Sequence, residues 1–234
     1  MNSQQQQQPK EEILLETLSR IHKKYVVLSG KGGVGKSSVA ANVAVALAKR
    51  KQRVGLLDID LHGPSLAKMF GLESAGAEQV DRRIVPIELC GGGLKLMSVQ
   101  FLLSRQGDSV IWRGPLKHGV IRQLIGLTDW GDLDYLIIDS PPGTGDEPLS
   151  AVQIIDKPDG GIIVTTPQSV SVFDVRKSVD FCRKVGLPIV GVVENMSGFV
   201  CPGCGTETHI FGKDGGAVMA EEMGIAFLGG IPLD

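Results

Sequence analysis

The apolar positions of this chain fall into short continuous runs, not alternating ones. Five of them, Tyr25 to Ser29, Val54 to Asp58, Tyr135 to Asp139, Gly161 to Thr165 and Ile189 to Glu194, read as strands covered on both faces, because a strand with one wet face would alternate. Segments of helical length lie between or after them, at 37–50, 115–127, 147–156, 171–185 and 214–223. Ser37 to Arg50 is rich in Ala and Val and apolar nearly all round, which predicts a buried helix. It closes on Lys49, Arg50 and Lys51, which suit the negative end of a helix dipole. Ile84 to Leu89 and Leu94 to Val99 read as two more strands, turned by Gly91, Gly92 and Gly93.

Strands alternating with helices predict an α/β fold: a doubly wound, mostly parallel sheet with helices on both faces. Ahead of the first strand, Ile13, Leu14, Leu18 and Ile21 share one side of a short helix over 12–22. Residues 1–11 carry five consecutive glutamines and a proline. They bury too little apolar surface to order themselves and read as a disordered tail. Residues 12–234 then make a single domain, with no internal repeat and no second boundary.

Composition narrows the partners. The chain has 234 residues, 42% of them hydrophobic, and a net charge of −2 from 24 basic and 26 acidic residues. That balance gives no electrostatic case for nucleic acid or an anionic membrane. No apolar run is long enough to span a bilayer, and the polar N-terminus lacks a signal-peptide pattern, so a cytoplasmic protein is expected. Four cysteines are present, Cys90, Cys182, Cys201 and Cys204. In a reducing compartment the close pair reads first as a metal or redox site.

The chemistry is densest at Gly30-Lys31-Gly32-Gly33-Val34-Gly35-Lys36-Ser37. This satisfies G-x-x-x-x-G-K-S between a strand and a helix, the context a phosphate-binding loop requires. Glycines let backbone N–H groups curl around phosphate oxygens, and the helix N-terminus adds partial positive charge. Lys36 is expected to reach the β- and γ-phosphates of ATP and Ser37 to ligate Mg²⁺, with Ser38 next in the loop. Asp139 ends a buried strand, in the crevice where open α/β sheets bind ligands, and is expected to hold the Mg²⁺ shell. Asp58 and Asp60 follow a second strand. One of them can orient the attacking water, since phosphoryl transfer depends mainly on positioning and charge stabilisation. Asp60 also reads as a plain strand-end turn residue. Pro141, Pro142 and Gly143 restrict the backbone and then free it, as suits a loop that senses the γ-phosphate.

Lys31 is an extra lysine in this loop. KGGVGKS resembles the deviant Walker A motif of the ATPases that include the nitrogenase iron protein and the ParA/MinD partition proteins. DIDLHGPS at 58–65, IIDSPPGTGDEPL at 137–149, TTPQSVSVFDVRK at 165–177, VVENMSGFVCPGCG at 192–205 and the closing IPLD narrow the likeness to the Mrp/ApbC family of iron–sulfur cluster carrier ATPases, over roughly residues 22 to 234. The resemblance implies an ATPase, a slow one, and assigns roles. Lys31 would contact phosphates across a dimer interface. Asp60 would position the hydrolytic water in switch I. Asp139 would be the Walker B acid, with Gly143 in switch II. Asn195 would hydrogen-bond the adenine, and Cys201 and Cys204 would bind the cluster. Two departures stand out. Some relatives carry a separate N-terminal cysteine cluster, and this sequence has no cysteine before Cys90. Members also commonly continue past IPLD, so the chain reads as a short member or one that ends early.

Cys201-Pro202-Gly203-Cys204-Gly205 reads as a metal knuckle, near 197–211. Two intervening residues let both thiolates face one ion. A [4Fe–4S] cluster or a zinc ion usually wants four ligands. Cys90 and Cys182 read as small buried residues, so two knuckles in a two-fold homodimer are the economical Cys₄ site, and a related partner subunit would serve equally. His209 is a third-ligand candidate but reads more simply as a hairpin residue; His62, beside Asp60, lies close to the nucleotide region. The knuckle alone does not choose iron over zinc. The resemblance favours a [4Fe–4S] cluster passed to apo-proteins. The alternative is a partition-type dimeric ATPase stapled by structural zinc, and a nitrogenase-type reductase ranks lower because its cluster cysteines lie far apart.

Overall fold

The computed structural model describes residues 3–102 and 114–233. In chain order the elements are α1 (Ser3–Ser19), β1 (Ile21–Ser29), α2 (Lys36–Lys49), β2 (Val54–Asp58), α3 (Leu66–Met69), β3 (Glu78–Val80), β4 (Arg83–Val85), β5 (Ile87–Leu89), β6 (Leu94–Ser98), α4 (Gly114–Gly126), β7 (Leu133–Asp139), α5 (Asp146–Ile155), β8 (Gly160–Thr165), α6 (Ser169–Val185), β9 (Ile189–Val200), β10 (Glu207–Thr208), α7 (Gly215–Met223) and β11 (Phe227–Leu233). Nine strands form one sheet in the order β10-β9-β8-β1-β7-β2-β6-β5, with β11 paired to β9; β3 and β4 form a separate ribbon. Pairing is parallel from β11 through β9, β8, β1, β7 and β2 to β6. Within this sheet, among the described residues, β5 and β10 run antiparallel to their neighbours, as β3 and β4 do in the ribbon.

The continuous apolar runs behave as expected. Every residue of β2 and of β8 is buried, because helices cover both faces. Helix α2 is buried along Lys36, Val39, Ala40, Ala41 and Ala44. Its remaining positions are at least partly exposed, so an all-round apolar composition overstated its burial. Cys182 lies inside the core, where burial pushes its thiol up to about 11. Cys90, expected to be buried, is exposed. It sits in the Gly-rich turn between β5 and β6, at φ 52°, a turn position that buries no side chain.

Several elements differ from the pattern: Ile84 to Leu89, expected as one strand, is divided at Pro86 between β4 in the ribbon and β5 in the large sheet, since proline lacks the N–H a continuous ladder needs, and β9 runs on to Val200. Helix α1 begins at Ser3, whereas the Gln-rich stretch up to residue 11 was expected to be irregular; glutamine is a good helix former, so a polar run does not by itself prevent a helix. β1 begins at Ile21, where a helix was expected to end, and its first residues include His22, Lys23 and Lys24 at a rim where polar side chains reach water. β11 was not expected at all. It sits on the open side of β9 with nearly every residue exposed, among them Phe227, Leu228 and Ile231.

The sheet order brings the C-terminal ends of β1, β7 and β2 together. Asp139 is in register with Val27 on one side and with Asp58 on the other.

Candidate functional site

The loop from Gly30 to Gly35 joins the end of β1 to the start of α2. Gly33 and Gly35 both adopt φ 79°, a left-handed conformation that glycine takes without a side-chain clash. A Cβ added at Gly33 would meet nothing, so the space above the loop is open. At Gly30 it would overlap the backbone of Asp174 in α6; only glycine permits that close approach. The loop, with Ser29, Lys36, Ser37, Ser38, Asp60, Ser65, Met69 and Pro142, lines a cavity of about 320 Å³. Lys31, Gly32, Gly33, Val34 and Gly35 belong to the same lining, and Gly30 does not.

Lys36 and Asp139 form a buried ion pair, and the Lys36 ammonium also donates to Ser37 Oγ at 3.2 Å. Asp139 is fully buried, and its Oδ2 has no hydrogen-bond partner among the described residues. Burial holds its carboxyl above the usual range, against the pull of Lys36 and Ser37. An orphaned buried carboxylate oxygen beside a serine hydroxyl fits a hard, oxygen-ligated cation such as Mg²⁺. Lys36 lies where it could shift from Asp139 to a phosphate once such a cation neutralises the carboxylate.

The two aspartates after β2 separate into different roles. Asp58 is fully buried and accepts from the backbone N–H of Asp60 (3.0 Å), Ser65 (3.2 Å) and Leu66 (3.2 Å), and from Ser98 Oγ (3.3 Å). Burial, and then the neighbouring Asp139 charge, push it up to about 7 against those bonds. It ties down both ends of the 59–65 loop. Asp60 is half-buried and lines the cavity; its Oδ1 accepts from the N–H of His62 (3.1 Å) and Gly63 (2.9 Å).

The loop after β7 is fastened to β1. Ser140 Oγ donates to Val27 O at 2.7 Å, and Gly143, at φ 87°, donates its N–H to Ser29 O at 2.8 Å. Asn195, on β9, does not line the cavity. Its Nδ2 donates to Val34 O at 3.0 Å, from beneath the phosphate loop. Sequence spacing gave no signal for this contact, which joins residues 161 apart.

Six residues beyond Asn195, β9 runs into the cysteine turn. Cys201 N–H donates to Thr206 O at 3.0 Å, and Gly205 N–H to Cys201 O at 2.8 Å, which closes the tip of the β9–β10 hairpin. Cys201 is partly exposed and Cys204 exposed. Hydrogen bonding with Thr206, to whose Oγ1 the Cys204 thiol donates at 3.3 Å, and then with Cys201 holds that thiol below its ordinary value. His209 does not join the thiols; its Nδ1 lies 3.1 Å from Ser197 O. No group of three or more His, Cys, Asp or Glu side chains able to hold a metal occurs among the described residues, so one chain offers this pair alone. His62 likewise faces away from the phosphate cavity, towards Lys117 and Glu147. No helix among the described residues is long and apolar enough to cross a membrane.

Comparison with known proteins adds the family. The profile described as ParA, NUBPL iron-transfer P-loop NTPase, matches residues 20–234. The chain is 53% identical to the cytosolic Fe-S cluster assembly factor CFD1 of Kluyveromyces lactis, over 94% of this chain and 79% of that protein. It is 51% identical to an iron-sulfur cluster carrier protein of Methanocaldococcus jannaschii, over 94% of this chain and 75% of that one. Among solved structures, a nucleotide-binding protein from Archaeoglobus fulgidus in complex with ADP aligns with TM-score 0.83 and 42% identity, covering 96% of this chain and 87% of that one. The MinC:MinD complex of Aquifex aeolicus, at 22% identity and TM-score 0.62, covering 91% of this chain and 82% of that one, shares the fold.

Proposed function

The chain belongs to the family of NUBPL iron-transfer P-loop NTPases, and on that premise we propose that it hydrolyses ATP and carries a [4Fe–4S] cluster, held between two copies at their paired Cys201–Cys204 hairpins and delivered to apo-proteins. The observation that carries this reading is the double use of β9. Its Asn195 grips the phosphate loop at Val34, and its far end presents the two thiols. Nucleotide and cluster would therefore bear on one strand. The names of the relatives, an assembly factor and a carrier, support the cargo, and the word cytosolic in the first supports a cytoplasmic setting.

In the hydrolysis step, a water oxygen bonds the γ-phosphorus of ATP, the bond to the β–γ bridging oxygen breaks, and ADP and inorganic phosphate leave. Asp60 orients that water from the rim of the crevice. The amides of residues 32–37 and Lys36 stabilise charge on the phosphate oxygens. Ser37 and, through water, Asp139 would hold Mg²⁺, which supplies further charge neutralisation when bound. Lys31 makes no ion pair among the described residues, as suits a lysine reserved for the nucleotide of a second copy. Asn195 would contact the adenine from the loop its amide already holds at Val34.

The direct test is anaerobic reconstitution with iron and sulfide, with absorption and Mössbauer spectra and a metal count. The proposal expects a band near about 400 nm and about four irons per dimer, both lost in Cys201→Ala. A colourless protein with about one zinc per dimer would overturn the cargo and leave a zinc-stapled ATPase.

A further inference from the structure

A charge cluster outside the phosphate cavity is left over by the function above. Glu147, in the first turn of α5, is only 4% exposed. Its Oε1 accepts from Lys117 Nζ of α4 at 2.8 Å. The same ammonium lies 3.0 Å from Nε2 of His62, at the crest of the 59–65 loop, and that nitrogen is 3.5 Å from Glu147 Oε1. A lysine ammonium only donates. At this contact His62 Nε2 is therefore the acceptor.

The loop that bears Asp60 has two kinds of anchor. Asp58 fastens its ends, through the N–H groups of Asp60, Ser65 and Leu66. At the crest, the side-chain tether among the described residues is His62 to Lys117. Asp60 Oδ1 in turn accepts the N–H groups of His62 and Gly63. Where the crest sits therefore decides where Asp60 points. Lys117 cannot drift, because the buried Glu147 carboxylate requires its charge. Glu147 itself follows directly on the loop that contains Gly143.

We propose that Lys117 and Glu147 are positioning residues for ATP hydrolysis, which act through His62 to hold the Asp60 loop in place. The cluster joins the loop after β2 to the loop after β7, so the two loops facing the γ-phosphate move as one. This rests on the water-orienting role given to Asp60, and the test separates the two.

The test measures steady-state ATP hydrolysis for His62→Ala, Lys117→Met, their double variant and Asp60→Ala, together with amide hydrogen exchange in the 59–65 loop. His62→Ala and Lys117→Met should each lower kcat about tenfold, the smaller end of what a displacement of roughly 1 Å costs, with KM for ATP within about twofold. The double variant should lose no more than Lys117→Met alone, because both changes cut one tether. The amides of His62 and Gly63 should exchange faster in each. His62 is exposed, so its variant folds and decides the matter even if Lys117→Met does not. If Asp60→Ala abolishes turnover while His62→Ala keeps kcat within about twofold of wild type and leaves amide exchange unchanged, the tether has no such role. If Asp60→Ala itself turns over normally, the water-orienting assignment fails, and this inference falls with it.

Discussion

The phosphate crevice and the cysteine hairpin are built in opposite ways. The crevice forms where three adjacent strands end inside the sheet. Of its carboxylates, Asp58 and Asp139 are fully buried and Asp60 is half-buried, and the loops of the crevice are bonded to β1 and to one another. The hairpin projects from the end of β9, is almost wholly exposed, and rests on a few local bonds around Cys201 and Thr206. A site made from the core inherits the rigidity of the core and is nearly complete in one chain. An exposed turn offers two thiols that a second set of groups can approach. Cargo that must be released suits the second construction, and chemistry that depends on fixed geometry suits the first.

If the two regions are separable, each can be disabled alone. Cys201→Ala should remove cluster binding altogether, read as loss of the visible absorption, while ATP affinity by equilibrium titration stays within about twofold. A large loss of ATP affinity would show that the regions are not independent. Lys36→Ala is the reciprocal change. It should weaken ATP binding by about a hundredfold or more, as expected when a charge-assisted contact of roughly 3 kcal/mol is lost, with the iron content after reconstitution unchanged.

Smaller effects probe the rigidity of the crevice. Gly30→Ala places a methyl group on the Asp174 backbone. It should cost about 2 kcal/mol, a fall in Tm of roughly 4–8 °C, whereas Gly203→Ala in the hairpin, whose Cβ would come no closer than 3.9 Å to Cys201 Sγ, should shift Tm by far less. The gentlest test uses pH. Asp58 titrates near 7 when folded and 3.8 when unfolded, so the folded state holds the extra proton between those values. Its stabilisation is full below about pH 4 and is lost as pH rises through about 7. The stability of wild type relative to Asp58→Asn should therefore fall between about pH 4 and 7, by at most about 1.4 kcal/mol per pH unit. A flat difference would mean that the four hydrogen bonds, not burial, govern Asp58.

How much of this was legible beforehand follows the range of the interactions involved. The central strands and the phosphate loop were readable because each is contiguous: a run of β-branched and aliphatic residues, or eight residues in one pattern. The order of strands that sets Asp58 beside Asp139 follows from crossovers that no local pattern specifies. β11 was missed because Phe227-Leu228-Gly229-Gly230-Ile231-Pro232-Leu233 contains two glycines and a proline, residues depleted in strands; its pairing to β9 makes it a strand. The start of α1 was placed late because polarity was weighed above helix propensity. Nothing in the local sequence marked Glu147 or Lys117. Their significance lies in the burial of Glu147 and in His62 arriving from 55 residues away.

One detail of β9 bears on how a cluster would be let go. Between Asn195 and the thiols, Met196 adopts φ 57°, a left-handed conformation that a residue with a side chain avoids at a cost of about 1–2 kcal/mol. That bend lies one residue from Asn195, whose amide holds the phosphate loop at Val34, and five residues, roughly 17 Å at the usual rise, from Cys201. If a cluster is shared by two such strands as proposed, a change of about 10° in the bend would displace each pair of thiols by on the order of 3 Å.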